Sequence, residues 1–430
     1  MTETANIHIR GGRLLDPASG TDEELDLFLG EGRVLAIGEA PAGFQAHQVI
    51  DASGQVVCPG LIDLGVYLRE PGFEHKATIA SETRAAARGG ITTLVCMPET
   101  DPVIDTPATW ELIRRRAKAC GNARVLAVGA LTQRLAGEQL AEMAALKAAG
   151  CVAVSNGRHR LANTLVARRA MEYASTFDLP LVLCSEDPHL KANGCVHEGA
   201  IATRLGLPGI PSAAETVAVA RDLALTEHTG SRSHFHTLST GRAIEMIAQA
   251  RRGNRRLSAD VAIHQLFLQE SDVDGFRAEC HVDPPLRTLG DRDRLRQALG
   301  EGHIDVICSD HQPHEADAKR EPFPATAPGI SGLETLLPLT LRLVEEGVLT
   351  LPHAIACLTA NPAAVLNLPL GRLEPGGSAD VCIFDPEAVW EFSAEKMASA
   401  GRNTPFDGWE FRGRVTCTLF EGRITYRPET

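Results

Sequence analysis

No two cysteines in this chain form a CxxC pair; all eleven are scattered singly, mostly inside apolar segments. That pattern predicts reduced, buried thiols, and with no leader-like pattern at the start the expected location is the cytoplasm. No apolar run approaches the roughly 20 residues needed to cross a bilayer. Positive charge is also scarce: 42 Lys and Arg against 55 Asp and Glu leave a net charge of −13. Nucleic acid and anionic membrane are thereby set aside as main partners. No G-x-G-x-x-G loop follows any strand-like segment, which argues against a doubly wound sheet with a phosphate cradle.

What remains is ordinary for a globular protein: 44% hydrophobic and 23% charged residues over 430 positions. That length suits one large domain and a smaller one. Residues 1–54 and 371–430 both read as short strands and turns, so the two ends are expected to pair into one small β-sandwich. Residues 55–370 alternate strand and helix. Strands are expected at 57–66, 92–97, 124–130, 151–155, 179–185, 233–238, 257–264 and 305–309. Helix-like stretches lie between them at 80–88, 111–119, 138–149, 164–175, 214–226, 243–251 and 291–299, with another from near Gly332. Eight strand-helix units in a row predict a closed (β/α)8 TIM barrel. Its functional residues should then sit at the C-terminal ends of the strands.

The stretch 56–73, VVCPGLIDLGVYLREPGF, carries the most specific signal. It resembles the first-strand signature of dihydroorotases in the amidohydrolase superfamily, Pro-Gly-x-Ile-Asp-x-His-x-His-x-Arg, whose two histidines hold zinc. Pro59, Gly60, Asp63, Arg69, Glu70, Pro71 and Gly72 match, while Gly65 and Tyr67 stand at the histidine positions. Later strand ends tell the same story. Met97-Pro98-Glu99-Thr100 resembles Met-Pro-Asn-Thr, with Glu99 where the family places an Asn on the substrate carboxylate. Val154-Ser155-Asn156-Gly157 stands where the family has Ser-Asp-Asp-Gly, Cys184 replaces the His of His-x-Glu-Asp, and Thr237 replaces a ligand His. Asp310 matches the catalytic Asp and His314 a substrate-binding His. The motifs Asp283-Pro284-Pro285-Leu286-Arg287 and Asn361-Pro362-Ala363 also match, so the resemblance spans nearly the whole chain.

Of the family's ligand positions, occupied here by Gly65, Tyr67, Asn156, Cys184, Thr237 and Asp310, only Asp310 is a good ligand. Zinc needs three or four converging donors, so the resemblance implies a lost zinc site and no cofactor. Without a metal nothing lowers the pKa of an attacking water, and no catalytic residue is expected beyond the remnant Asp310. Arg69, Glu99 and His314 are left as remnants of the substrate pocket, where Arg69 is expected either to pair with Glu99 or to keep binding a ligand. His234 and His236 share a strand face of opposite parity to Thr237, so they are expected to point towards the helices. The implied protein is a non-catalytic dihydroorotase-like chain, not an enzyme. It would act as a partner of the aspartate transcarbamoylase catalytic chain in pyrimidine biosynthesis, in a homo-oligomeric assembly. The competing expectation is an active cyclic amidohydrolase, of dihydroorotase or hydantoinase type, with an altered metal site.

Overall fold

The computed structural model describes residues 5–254 and 256–428. Pro59-Gly60 divides the first apolar stretch into two strands of different sheets, where the sequence suggested one. Val56–Pro59 pairs antiparallel with Val381–Glu391 and parallel with Arg13–Asp16. Leu61–Val66 then enters the barrel. The junction requires glycine because a Cβ on Gly60 would lie 2.2 Å from Thr92 Oγ1.

Eight parallel strands share one sheet, neighbours in chain order. They are Leu61–Val66, Ile91–Cys96, Arg124–Ala130, Ala153–Ser155, Leu181–Leu183, Ser233–Phe235, Leu257–Ala262 and Val306–Cys308. The last returns to the first: His311 N donates to Gly65 O and Tyr67 N to His311 O, each at 3.0 Å. The barrel expected from the repeat of strands and helices is therefore present.

Helices cover its outside, including Ile79–Arg88, Pro107–Cys120, Thr164–Thr176, Ala213–Thr229, Gly241–Arg251, Leu289–Gly300 and Leu336–Glu345. Thr78 and Ser81 form a capping box, Thr240 and Thr288 cap two further helices, and left-handed Gly121, Gly150 and Gly230 end three others. The helix expected from 138 starts only at Met143, because Leu140 bridges back to Thr132. No helix among the described residues is long and apolar enough to cross a membrane.

Strand alternation sorts the core into two layers. Ile62, Leu64, Val95, Val128, Ala153, Val182 and Val306 fill the barrel interior, joined by Ala363 and Leu366. Leu61, Leu94, Val154, Leu181, Phe235 and Ile307 face the surrounding helices. A separate β-rich part joins the two ends of the chain. A four-stranded sheet from residues 7–51 packs on a six-stranded one that combines Arg13–Asp16 with Glu410–Phe420 and Arg423–Tyr426. Ile9, Leu14, Leu29, Val57, Ile383 and Leu419 pack between them.

Candidate functional site

At the mouth, the end of the fourth strand is fastened down residue by residue. Ser155 Oγ donates to Val182 O at 2.6 Å and accepts from Gly157 N at 2.9 Å. Asn156 accepts from Thr132 Oγ1 at 2.6 Å and donates to Leu135 O and His159 O. Gly157 turns through φ +54°, and a Cβ there would fall 2.1 Å from Glu99 Oε1. This turn lets Arg158 N donate to Glu99 Oε1 at 2.6 Å and sends the Arg158 side chain across the mouth.

The guanidinium lands on Asp310. Nη2 lies 2.6 Å from Oδ1 and 2.8 Å from Oδ2, and Nε donates to Tyr67 Oη at 3.1 Å. Nη1 stands 3.5 Å from Asp283. Burial opposes the charge on Arg158, but Asp310, Tyr67 and Asp283 outweigh it and hold its pKa well above the usual value. A second layer of charge surrounds the first. Lys191 lies 2.7 Å from Asp283 and 2.9 Å from Glu186, and Arg160 bridges the same two carboxylates. Burial would raise the Asp283 carboxyl, yet Lys191, Arg160 and Arg158 hold it far below the usual range.

The remaining remnants fall around this cluster. Tyr67 is buried in the barrel interior, its hydroxyl 3.4 Å from Glu99 Oε1. The expected Arg69–Glu99 pair is replaced: Arg69 donates to Pro313 O and lies 3.1 Å from His314 Nε2, while Glu99 holds the Arg158 backbone. Burial first, then Arg69 and Lys76, push the His314 pKa down to about 2, so it stays neutral. Desolvation raises the Cys184 thiol to about 12, which keeps it protonated and a poor ligand.

Deeper in the barrel lies a group assembled from two neighbouring strands. His234 Nε2 is 2.8 Å and His236 Nδ1 2.5 Å from the same oxygen, Asp260 Oδ2. Asp260 Oδ1 accepts from Thr237 N at 2.5 Å, and Cys308 Sγ lies 3.7 Å away. The second nitrogen of His234 contacts Ser258 Oγ at 2.9 Å. Nε2 of His236 is buried without a hydrogen-bond partner. It faces Gly65, where a Cβ would come within 2.9 Å of it. Burial would raise the Asp260 carboxyl, but the two histidines hold it well below the usual range; burial lowers and Asp260 more than restores the His236 pKa.

Two expectations about these residues need correction. His234 and His236 face the barrel interior, not the helices: His234 pairs with Val182, an interior residue, and lies across from Ser258. The parity argument from Thr237 fails because Thr237 turns through φ +54° beyond the strand and breaks the alternation. The expected absence of any metal-binding group is also overturned. One ligand atom each from His234, His236 and Asp260 lies within 4.8 Å of the others, all buried. Two imidazoles and a carboxylate are a donor set that suits zinc or a similar divalent ion. The orphaned His236 nitrogen adds one more buried donor beside them, its ring filling the space over Gly65. The residues fit an ion, at a place other than the positions the sequence comparison named.

The ion pairs of Arg158 and Arg160 at the mouth went unnoticed in the sequence as well. Their signal was available: two arginines within five residues of the end of an apolar strand that should line the mouth.

Residues 54–242 match the dihydro-orotase-like family model and residues 213–426 the amidohydrolase family model. The chain is 50% identical to a dihydroorotase-like protein of Pseudomonas aeruginosa, over 98% of this chain and 99% of that one. It is 48% identical to a dihydroorotase of Syntrophotalea carbinolica, over 98% of this chain and 99% of the other. Among solved structures it resembles the L-hydantoinase of Arthrobacter aurescens, with a TM-score of 0.88 and 23% identity, covering 99% and 97% of the two chains. These relatives correct the expectation that the chain is not an enzyme. A relative nearly half identical along the full length is named for an activity. The tally of replaced ligands does not establish inactivity once a second buried donor group is present.

Proposed function

The chain belongs to the dihydroorotase-like amidohydrolases, and from that premise we propose that it serves cytoplasmic pyrimidine biosynthesis as a dihydroorotase-type chain assembled with the aspartate transcarbamoylase catalytic chain and with copies of itself. The observation that carries this reading is a contrast within one molecule. The barrel and the terminal sheets are kept whole, while the mouth is filled by the chain's own Arg158 on Asp310. Assembly through the outside of such a barrel would need no opening. Turnover of a cyclic amide requires Arg158 to leave Asp310 first.

A second reading, hydrolysis of a cyclic amide at a displaced metal centre, is favoured by the His234, His236 and Asp260 group. An ion held there would supply Lewis acidity and a more acidic bound water. Around it, Thr237 N and Ser258 would orient Asp260 and His234, and Arg158 would govern access.

The test is co-expression with a tagged aspartate transcarbamoylase catalytic chain, followed by size-exclusion chromatography and an assay of carbamoyl aspartate formation. Co-elution with a rise in transcarbamoylase activity is expected. Separate elution with no change in activity refutes the assembly. Dihydroorotase turnover in both directions, with zinc supplied, decides the second reading independently.

A further inference from the structure

We propose that the barrel mouth is a receptor for a guanidinium group and that Arg158 is its resident occupant, an internal plug that holds the mouth closed. This goes beyond assembly with a transcarbamoylase and depends on neither a partner nor a metal.

The receptor is built from three elements. Asp310 offers both carboxylate oxygens to one nitrogen at 2.6 and 2.8 Å, and Gln312 Nε2 steadies the carboxylate from 3.2 and 3.3 Å. Tyr67 accepts from Nε at 3.1 Å, and its ring centre is 5.6 Å from the guanidinium carbon. Asp283 supplies a further negative charge 3.5 Å from Nη1. A planar, delocalised cation matches this arrangement of acceptors and aromatic face better than a compact ammonium.

The occupant is aimed rather than adventitious. Glu99 clamps the Arg158 amide, Asn156 ties the loop to three partners, and Gly157 takes a left-handed turn in which a side chain would strike Glu99. The acceptor is equally committed. Asp310 is 1% exposed and sits at φ +48°, a strained region for a residue with a side chain, held in place by its surroundings. Without Arg158 that carboxylate would be buried with Gln312 as its remaining side-chain donor. An outside ligand reaching the interior through the mouth must displace this cation, and a small guanidinium compound could take its place.

Chemical rescue tests the assignment. Thermal unfolding of the full chain, R158A and R158A/D310N is followed with guanidinium chloride from about 1 to 50 mM. Tetramethylammonium chloride at equal ionic strength and urea serve as controls. R158A should melt lower than the parent, and guanidinium alone should raise its midpoint by about 2–4 °C. The parent and R158A/D310N should show no such rise. An equal response in all three proteins, or an R158A as stable as the parent, overturns the proposal. If R158A does not fold, R158A/D310N decides. Recovery of a folded, cooperative protein supports an uncompensated Asp310 as the cause, and a double variant that also fails to fold overturns it.

Discussion

Gly65→Ala should destabilise the protein by about 2–4 kcal/mol, although alanine normally improves a strand interior. The site explains the reversal. A Cβ at Gly65 would stand 2.7 Å from His236 Cε1 and 2.9 Å from Nε2, inside any permitted contact. The ring is 2% exposed and cannot swing into solvent. It is tied to Asp260 at 2.5 Å, so moving away lengthens a charge-assisted hydrogen bond. Overpacking of this kind costs about 1–3 kcal/mol. Loss of a hydrogen bond to a charged group adds about 1.5–3 kcal/mol, and partial relaxation keeps the total below the sum. The gain from replacing a strand glycine returns about 0.5–1 kcal/mol. Urea unfolding of the parent, G65A, H236A and G65A/H236A measures the effect as a double-mutant cycle. In the H236A background the new methyl finds the space the ring has left, so its cost should fall to near zero. Equal costs of Gly65→Ala in the two backgrounds, within about 0.5 kcal/mol, would refute the placement of His236 against Gly65.

Cobalt(II) titration of the protein should saturate at about one ion per chain, and Asp260→Asn should abolish binding while Cys184→Ser leaves it intact; binding that survives D260N assigns the ion elsewhere. Gly157→Ala, at φ +54° and against Glu99, should cost at least about 1 kcal/mol and loosen the loop that aims Arg158, seen as faster amide hydrogen exchange at 156–160. Acid should destabilise the protein before its carboxylates titrate. Burial, and then Lys319, hold the His281 pKa at about 4, below the 6.5 of the unfolded chain. Because the folded value is the lower one, its contribution is complete above pH 6.5 and is lost as pH falls towards 4, about 3 kcal/mol over the window. His281→Gln should flatten that part of the stability-pH curve, and an unchanged slope would refute the assignment.

The alternation of strand and helix and the β-rich ends were legible in the sequence because each depends on neighbours a few residues away; the division at Pro59-Gly60 into strands of two sheets was not. Strand period, helix caps and turn glycines are local physics, and eight such units in a row leave few architectures. Gly65, Tyr67, Asn156, Cys184 and Thr237 could be picked out as residues at fixed spacings within motifs. How the strand ends are arranged around them could not. His234 and His236 were turned to the wrong face, because a single left-handed residue, Thr237, ended the alternation one step earlier than the strand pattern implied. Asp260 joins them from the next strand, a neighbour in space that lies 24 residues from His236 in the chain. Arg158 reaches Asp310 across 152 residues, and its direction depends on the Glu99 clamp and the turn at Gly157. Local patterning thus determined the scaffold. Where its charges meet was decided by barrel closure, which brings strand ends from distant parts of the chain to one mouth where burial forces each charge to find a partner.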